Sequence, residues 1–397
     1  MHESKTPWPN DEGLWSVRAI RRGRSFRQVA RRFRMGLATV HRWVRRAGRR
    51  RLDRVEWTNQ PPIAHSTRRT PRTLEERVLS LRQQLKRSDL GQFGAVAIHR
   101  ALHQEGLDPL PCVRTVGRIL ERSGVLDGRH RVRRPPPPRG WYLPQVAARH
   151  AELDSFDIVE GLVIKGGTAV EVLNGVSLHG GLALSCPRPT LTAKIAVEMI
   201  VAHWRECGLP HYAQFDNDTV FQGAHQFPDT MGRVARLCLS LEVMPVFVPP
   251  RETGFQAMIE NYNGWWQAKV WARFEHHSLA ELQERSARFV AASRRSRAQR
   301  IEAAPPRRPF PEGWSLDLKQ PPQGRLIYLR RTTETGHVSL LGHTTLVDEA
   351  WPHRLVRVEV DLAAETMAFH ALRRREPHWQ PLLRSVPYRF PAREFQG

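Results

Sequence analysis

Only four cysteines occur in the chain, Cys112, Cys186, Cys207 and Cys238, and none forms a Cys-x-x-Cys pair. A disulfide framework and a thiolate zinc site are therefore not expected. Long apolar runs are also missing. None approaches the ~20 residues needed to cross a bilayer, and the opening segment from Met1 to Trp15 carries no apolar signal-type run. A cytoplasmic protein with reduced thiols and no membrane partner is expected. Acidic residues are scarce at one end. Residues 1–150 hold 12 Asp or Glu against 33 Lys or Arg, whereas the remainder holds 27 against 29. Nearly all of the net charge of +23 thus sits in the first 150 residues, most of it on arginine. The arginine fork pairs with phosphate through two parallel hydrogen bonds, so a nucleic acid is the natural partner.

Hydrophobic residues make up 40% of the chain, enough to build cores and to exclude wholesale disorder. A length of 397 residues suggests about two to four domains. Residues 13–50 read as a small helical DNA-binding unit. Phe26, Val29, Ala30 and Phe33 share one helical face, and Leu37, Val40, Trp43 and Val44 share another beyond the turn at Arg34-Met35-Gly36. Two short helices joined by a tight turn predict a helix-turn-helix, with Arg42, Arg45 and Arg46 on or beside its recognition helix. Residues 73–128 predict a second unit of this kind, exposing Arg114 and Arg118. Residues 129–149 predict a stiff, basic, proline-rich linker whose Arg131, Arg133 and Arg134 track phosphates.

From residue 150 the texture changes. Strands are predicted at Leu153–Val159, Thr168–Val176 and Leu178–Cys186. A helix follows over Thr190–Cys207, then a strand at His211–Asp216, a helix over 223–241, a strand at Met244–Val248 and a long helix from Phe255 to about Phe274. This order predicts an α/β domain with a mixed sheet over residues 150–300. A proline-rich stretch over 302–323 reads as a linker. Short alternating strands over residues 324–390 predict a separate small β-barrel.

Three acidic residues stand out by placement. Asp154 lies inside the first strand, Asp216 ends the fourth, and Glu260 lies on the last long helix. A carboxylate inside a strand is costly to bury unless a cation balances it. Oxygen donors from separate elements suit Mg²⁺ or Mn²⁺. Asp157, three residues from Asp154, competes with it as the first ligand. Trp265 and Trp266 read as packing groups rather than base-stacking ones.

The element order and these motifs resemble the catalytic core of retroviral-type integrases and DDE transposases, most of all the bacterial insertion-sequence transposases. Asp154 matches the first-strand acid of that family. Asp216 in Asp216-Asn217-Asp218 matches its D-N-G motif, and Glu260-Asn261-Tyr262-Asn263 matches its E-x-x-N helix. Asp218 replaces the motif glycine, Gln267 stands where a basic residue is frequent, and 43 residues separate Asp216 from Glu260. The resemblance implies an RNase H-like catalytic core, preceded by helix-turn-helix domains and followed by a small β-barrel. It implies catalytic and metal-holding roles for Asp154, Asp216 and Glu260, with two Mg²⁺ or Mn²⁺ ions. It further implies cleavage at DNA 3′ ends and strand transfer, a homo-oligomer assembled on element ends and target DNA, and a place at the bacterial nucleoid. A catalytically inactive DNA-binding regulator and a structure-selective nuclease are the alternatives.

Overall fold

A computed structural model describes residues 12–57, 70–126, 139–224, 227–252, 254–374, 376–391 and 395. The chain divides into two compact units, residues 1–71 and 72–397.

The first unit holds three helices, α1 (Glu12–Arg21), α2 (Phe26–Arg32) and α3 (Leu37–Ala47). Helix α2 starts at Ser25, whose hydroxyl accepts from the Gln28 N–H while the Gln28 side chain accepts from the Ser25 N–H. This capping box satisfies two otherwise orphaned donors. Val17, Val29, Val40, Trp43, Ala47 and Val55 form the core. Gly13 is required there: a Cβ would come within 2.8 Å of the Trp43 and Trp57 rings. Of the expected faces, Val29, Val40 and Trp43 are buried, whereas Leu37 is exposed.

The second unit opens with α4 (Arg72–Arg87), α5 (Ala95–Gln104) and α6 (Val113–Arg122), packed through Val78, Leu81, Ile98, Leu102, Val116, Ile119 and Leu120. A short helix, α7 (Pro144–Ala147), follows. Trp141, Tyr142, Leu143 and Val146 are buried against Val246, Val248, Phe255 and Ile327. The end of the predicted 129–149 linker is therefore part of the core, because its aromatic side chains have apolar surface to fill.

Three antiparallel strands come next, β1 (Leu153–Val163), β2 (Ala169–Ser177) and β3 (Ala183–Arg188). Helix α8 (Ala193–Cys207) is capped by Thr192 and stopped by Gly208 at φ +78°. Strand β4 (Tyr212–Phe215) lies parallel to β1. The short α9 (Thr219–Gln222) and α10 (Arg233–Ser240) lead to β5 (Met244–Phe247), parallel to β4. Helix α11 (Ala257–Trp266) runs on as a π-helical turn over Gln267–Trp271, followed by α12 (Leu279–Ser296) and α13 (Ala298–Glu302). This mixed α/β sheet is consistent with an RNase H-like core.

The last six strands are β6 (Arg325–Arg331), β7 (His337–Leu340), β8 (His343–Leu346), β9 (Leu355–Asp361), β10 (Thr366–Ala371) and β11 (Leu382–Pro387). They do not form the separate barrel expected from their alternation. Strand β6 pairs with β5 through Val246–Ile327 and Phe247–Tyr328, and the nine-stranded sheet runs β11-β10-β9-β6-β5-β4-β1-β2-β3. Only β7 and β8 form a hairpin of their own. The reason is apolar. Leu326, Tyr328, Val356, Val358, Met367 and Phe369 share one core with Trp204, Phe215 and Phe247. Among the described residues, no helix is long and apolar enough to cross a membrane.

Candidate active site

Strand register decides which carboxylates meet. In the β1–β4 ladder Leu153 lies opposite Tyr212, Asp154 opposite Ala213 and Ser155 opposite Gln214. Continued two steps past the end of the ladder, that register would set Asp157 level with Asp216, and Asp157 does feel the charge of Asp216. Side chains alternate between faces in a strand, so Asp154 and Asp157 point to opposite sides of the sheet.

Asp154 points to the α8 side and is 1% exposed. Arg307 grips it with both terminal nitrogens, Nη1 at 2.8 Å to Oδ1 and Nη2 at 2.7 Å to Oδ2, and the Trp204 indole donates to Oδ2 at 3.0 Å. Burial alone would raise its pKa, but the charge and hydrogen bonds of Arg307 outweigh that and hold it below the ordinary value. Arg307 also donates to the Gly208 carbonyl. Both oxygens are committed to an internal ion pair.

Asp157 points to the α11 side and is partly buried. Its pKa is pushed up to about 6, first by burial and then by the negative charge of Asp216, with a smaller push from Glu260. The Ile158 N–H and the Asn263 amide oppose the shift, at 3.0 and 2.7 Å. Asp216 accepts from the Asp218 N–H at 3.0 Å. Glu260 is exposed in the first turn of α11. The cluster sensed electrostatically is thus Asp157, Asp216 and Glu260, from three separate elements, and Asp154 is not part of it.

Asp218 has an ordinary role. It is the N-cap of α9 at φ −62° and ψ 146°, and its carboxylate accepts from the Val220 N–H at 2.7 Å. The backbone here makes no demand for glycine. Gln267 and Lys269 lie on the π-helical turn, and the Lys269 ammonium stands 5.0 Å from the Phe93 ring centre. Trp266 is buried and donates to Ser286, whereas Trp265 is exposed with the Arg297 guanidinium 5.1 Å from its ring centre.

A polar chain supports Asp157. Asn263 takes its own hydrogen bond from the Asn174 amide at 2.8 Å, Ser185 donates to Asn174 at 2.7 Å, and Ser185 and Tyr262 share a hydrogen bond of 2.7 Å. Sequence reasoning missed Asn174, Ser185 and Arg330. Its one signal for the first was a polar residue inside the apolar strand from Val170 to Val176.

The carboxylate cluster suits divalent cations on the chemistry of its donors. All three offer hard oxygen donors, and the pKa of Asp157 is raised first by burial and then by the charges of Asp216 and Glu260, a combination that a bound cation would offset. Among the described residues, the group whose ligand atoms converge within 4.8 Å is a different one, His203, Glu206 and Cys207. Arg294 already fills that place, donating to Glu206 and lying 3.3 Å from His203 Nδ1.

The expected DNA contacts divide three ways. Arg42 and Arg45 are exposed on α3, while Arg46 lies partly covered over the Trp43 ring at 4.7 Å. Arg114 and Arg118 are exposed on α6. Arg131, Arg133 and Arg134 lie outside the described residues.

No protein-family model matches the chain, and a search of curated proteins found no match. Solved structures give distant likenesses. A chain of the simian T-cell lymphotropic virus intasome, solved in complex with PP2A regulatory subunit B56 gamma, is 13% identical at a TM-score of 0.33, covering 67% of this chain and 88% of that one. The catalytic core domain of BIV integrase is 15% identical at a TM-score of 0.27, covering 35% and 81%. The catalytic core domain of HTLV-2 integrase, in complex with magnesium, is 11% identical at 0.26, covering 39% and 86%. Likeness at this level carries no argument about function, which rests on the site itself.

Proposed function

We propose that the chain is a polynucleotidyl transferase acting on DNA, a DDE-type transposase or integrase, with Asp157, Asp216 and Glu260 as its catalytic carboxylates. The supporting observation is that Asp157, partly buried on the α11 side of β1, has its pKa raised by burial and, beyond that, by the negative charges of Asp216 and Glu260. Asp157 replaces Asp154 as the first ligand in this reading, because Asp154 is spent on Arg307. Mg²⁺ or Mn²⁺ held by the three would supply Lewis acidity at the scissile phosphate. Asn263 fixes the Asp157 carboxylate, and the chain through Asn174 and Ser185 fixes Asn263 in turn. Arg42, Arg45 and Arg46 in the first unit and Arg114 and Arg118 in the second supply backbone contacts to DNA ends and target. A homo-oligomer on paired ends and a nucleoid location belong to the same proposal. Asp218, as a helix cap, gives no reason to favour the inactive regulator.

The test is strand joining. Duplexes carrying the DNA that flanks the gene are incubated with supercoiled plasmid and Mg²⁺ or Mn²⁺. Wild type should nick 3′ ends and join them. Asp157→Asn, Asp216→Asn and Glu260→Gln should each lose roughly a hundredfold or more while staying folded. A folded wild type that binds DNA but joins nothing with either metal would sink the proposal. Cutting without joining would favour the nuclease.

A further inference from the structure

Beside Asp216 a cavity of about 380 Å³ is lined by Asn217, Gln222, Pro250, Arg330, Ser339 and Gly342, among others. Two of these side chains are buried without the partners their chemistry calls for. Arg330 is 9% exposed, and among the described residues no carboxylate pairs with it. Its Nη1 donates to the carbonyls of Val248 and Leu329 at 3.2 and 2.9 Å, and its Nη2 to Asn217 Oδ1 at 2.9 Å. The guanidinium also lies 5.2 Å from the Tyr328 ring centre, a weaker partner than a carboxylate. A buried guanidinium costs several kcal/mol unless an anion balances it. Burial lowers its pKa only to about 10, so it stays charged at neutral pH. Gln222, 8% exposed, has a side-chain oxygen with no hydrogen-bond partner.

The two demands differ, and together they narrow the ligand. Arg330 calls for an anion that accepts hydrogen bonds. Gln222 Oε1 calls for a donor, which a phosphodiester lacks. A nucleotide unit carries both, a phosphate and the N–H groups of a base. Asn217 ties the cavity to the active site, since it follows Asp216 directly and bonds both Arg330 and the Val248 carbonyl. We infer that this cavity is a nucleotide subsite of the DNA strand being processed. Arg330 takes the backbone phosphate next to the scissile one, and Gln222 accepts a hydrogen bond from the base. This rests on the transferase reading above for the identity of the strand.

The experiment uses the full chain with p-benzoylphenylalanine in place of the exposed Ser339. The probe is a labelled duplex carrying gene-flanking DNA, with Ca²⁺ replacing Mg²⁺, so that no turnover is needed. Crosslinking should fall on the terminal nucleotides of the duplex. Gln222→Leu should cut its yield about fivefold or more without lowering the melting temperature, because an apolar isostere relieves a buried unpaired acceptor. Arg330→Gln should cut it at least as far. Should that variant fail to fold, Gln222→Leu still decides. Wild-type yield in Gln222→Leu, or crosslinks confined to internal duplex, would overturn the subsite. So would loss of the crosslink to excess deoxynucleoside monophosphate, which would mark a free-nucleotide site. Failure of the transferase reading looks different: the strand-joining assay stays silent whatever the crosslink shows.

Discussion

Asp154 and Asp157 lie three residues apart on one strand and do opposite things. The sequence made an acid on β1 conspicuous, and the physical reason was sound: a carboxylate in a strand needs a positive partner. It left open which acid met a cation site and which met an arginine, because Arg307 is 153 positions away from Asp154. Removing either member of that pair leaves a buried charge alone. Asp154→Asn and Arg307→Met should each cost about 3–5 kcal/mol, and the double variant Asp154→Asn/Arg307→Met should recover much of it, as measured by denaturant unfolding. Equal and additive losses would remove the pairing argument. Asp157 behaves in the reverse sense. Its pKa is raised from 3.8 to about 6 in the folded state. The folded state therefore binds the proton more tightly than the unfolded one, and the stability this contributes is full below about pH 4 and lost as pH rises through about 6. In the absence of divalent cations, Asp157→Asn should raise stability by about 1–2 kcal/mol at pH 7.5 and by little at pH 4. Mg²⁺ should raise the melting temperature of wild type at pH 7.5 and leave that of Asp157→Asn nearly unmoved. An equal response in both would separate Asp157 from any cation site.

Among the elements, periodicity read existence better than extent. The strands over Leu153–Val159 and Met244–Val248 and the helix ending at Cys207 were legible in the sequence, and Gly208 caps that helix in the structure. The helix expected over 223–241 is only Arg233–Ser240, and the helix expected through Phe274 changes to a π-helical turn at Gln267. The first break has a local signature in Gly223, Pro228 and Gly232, the last of which is the N-cap of α10, whereas the π-helical turn at Gln267 has none. Asp218 shows how a motif comparison misleads at this scale. The motif glycine it replaces is not needed by this backbone, since Asp218 has negative φ and caps α9. Asp218→Gly should therefore cost only a few tenths of a kcal/mol, while Asp218→Ala should cost about 1 kcal/mol. If thermal unfolding ranked alanine above glycine, the capping role would be wrong.

For the whole molecule, charge distribution was the most legible property and strand pairing the least. The basic excess of the first 150 residues is a fact of composition, and Arg42 and Arg45 are exposed on α3. Replacing both with Gln should flatten the log–log salt dependence of DNA affinity by about 0.9 for each lost phosphate contact. An unchanged slope in fluorescence anisotropy titrations would take α3 out of the DNA interface. The C-terminal strands carried a correct period but no indication of their partners, because alternation fixes which face is apolar and says nothing about which edge is free. They were expected as a barrel of their own, whereas β6, β9, β10 and β11 extend the nine-stranded sheet and β7 and β8 pair apart. The two arrangements predict different truncations. An independent barrel could be removed after Gln323 and leave a folded core. Here the same cut strips β6 from β5, opens a sheet edge at Val246 and Phe247, and removes Tyr328, Val356, Val358 and Phe369 from the core that holds Trp204 and Phe215. Open apolar edges pair with other chains. The chain ending at Gln323 should thus be insoluble, or bind a hydrophobic dye without a cooperative melt. A soluble, cooperatively melting fragment would restore the independent domain.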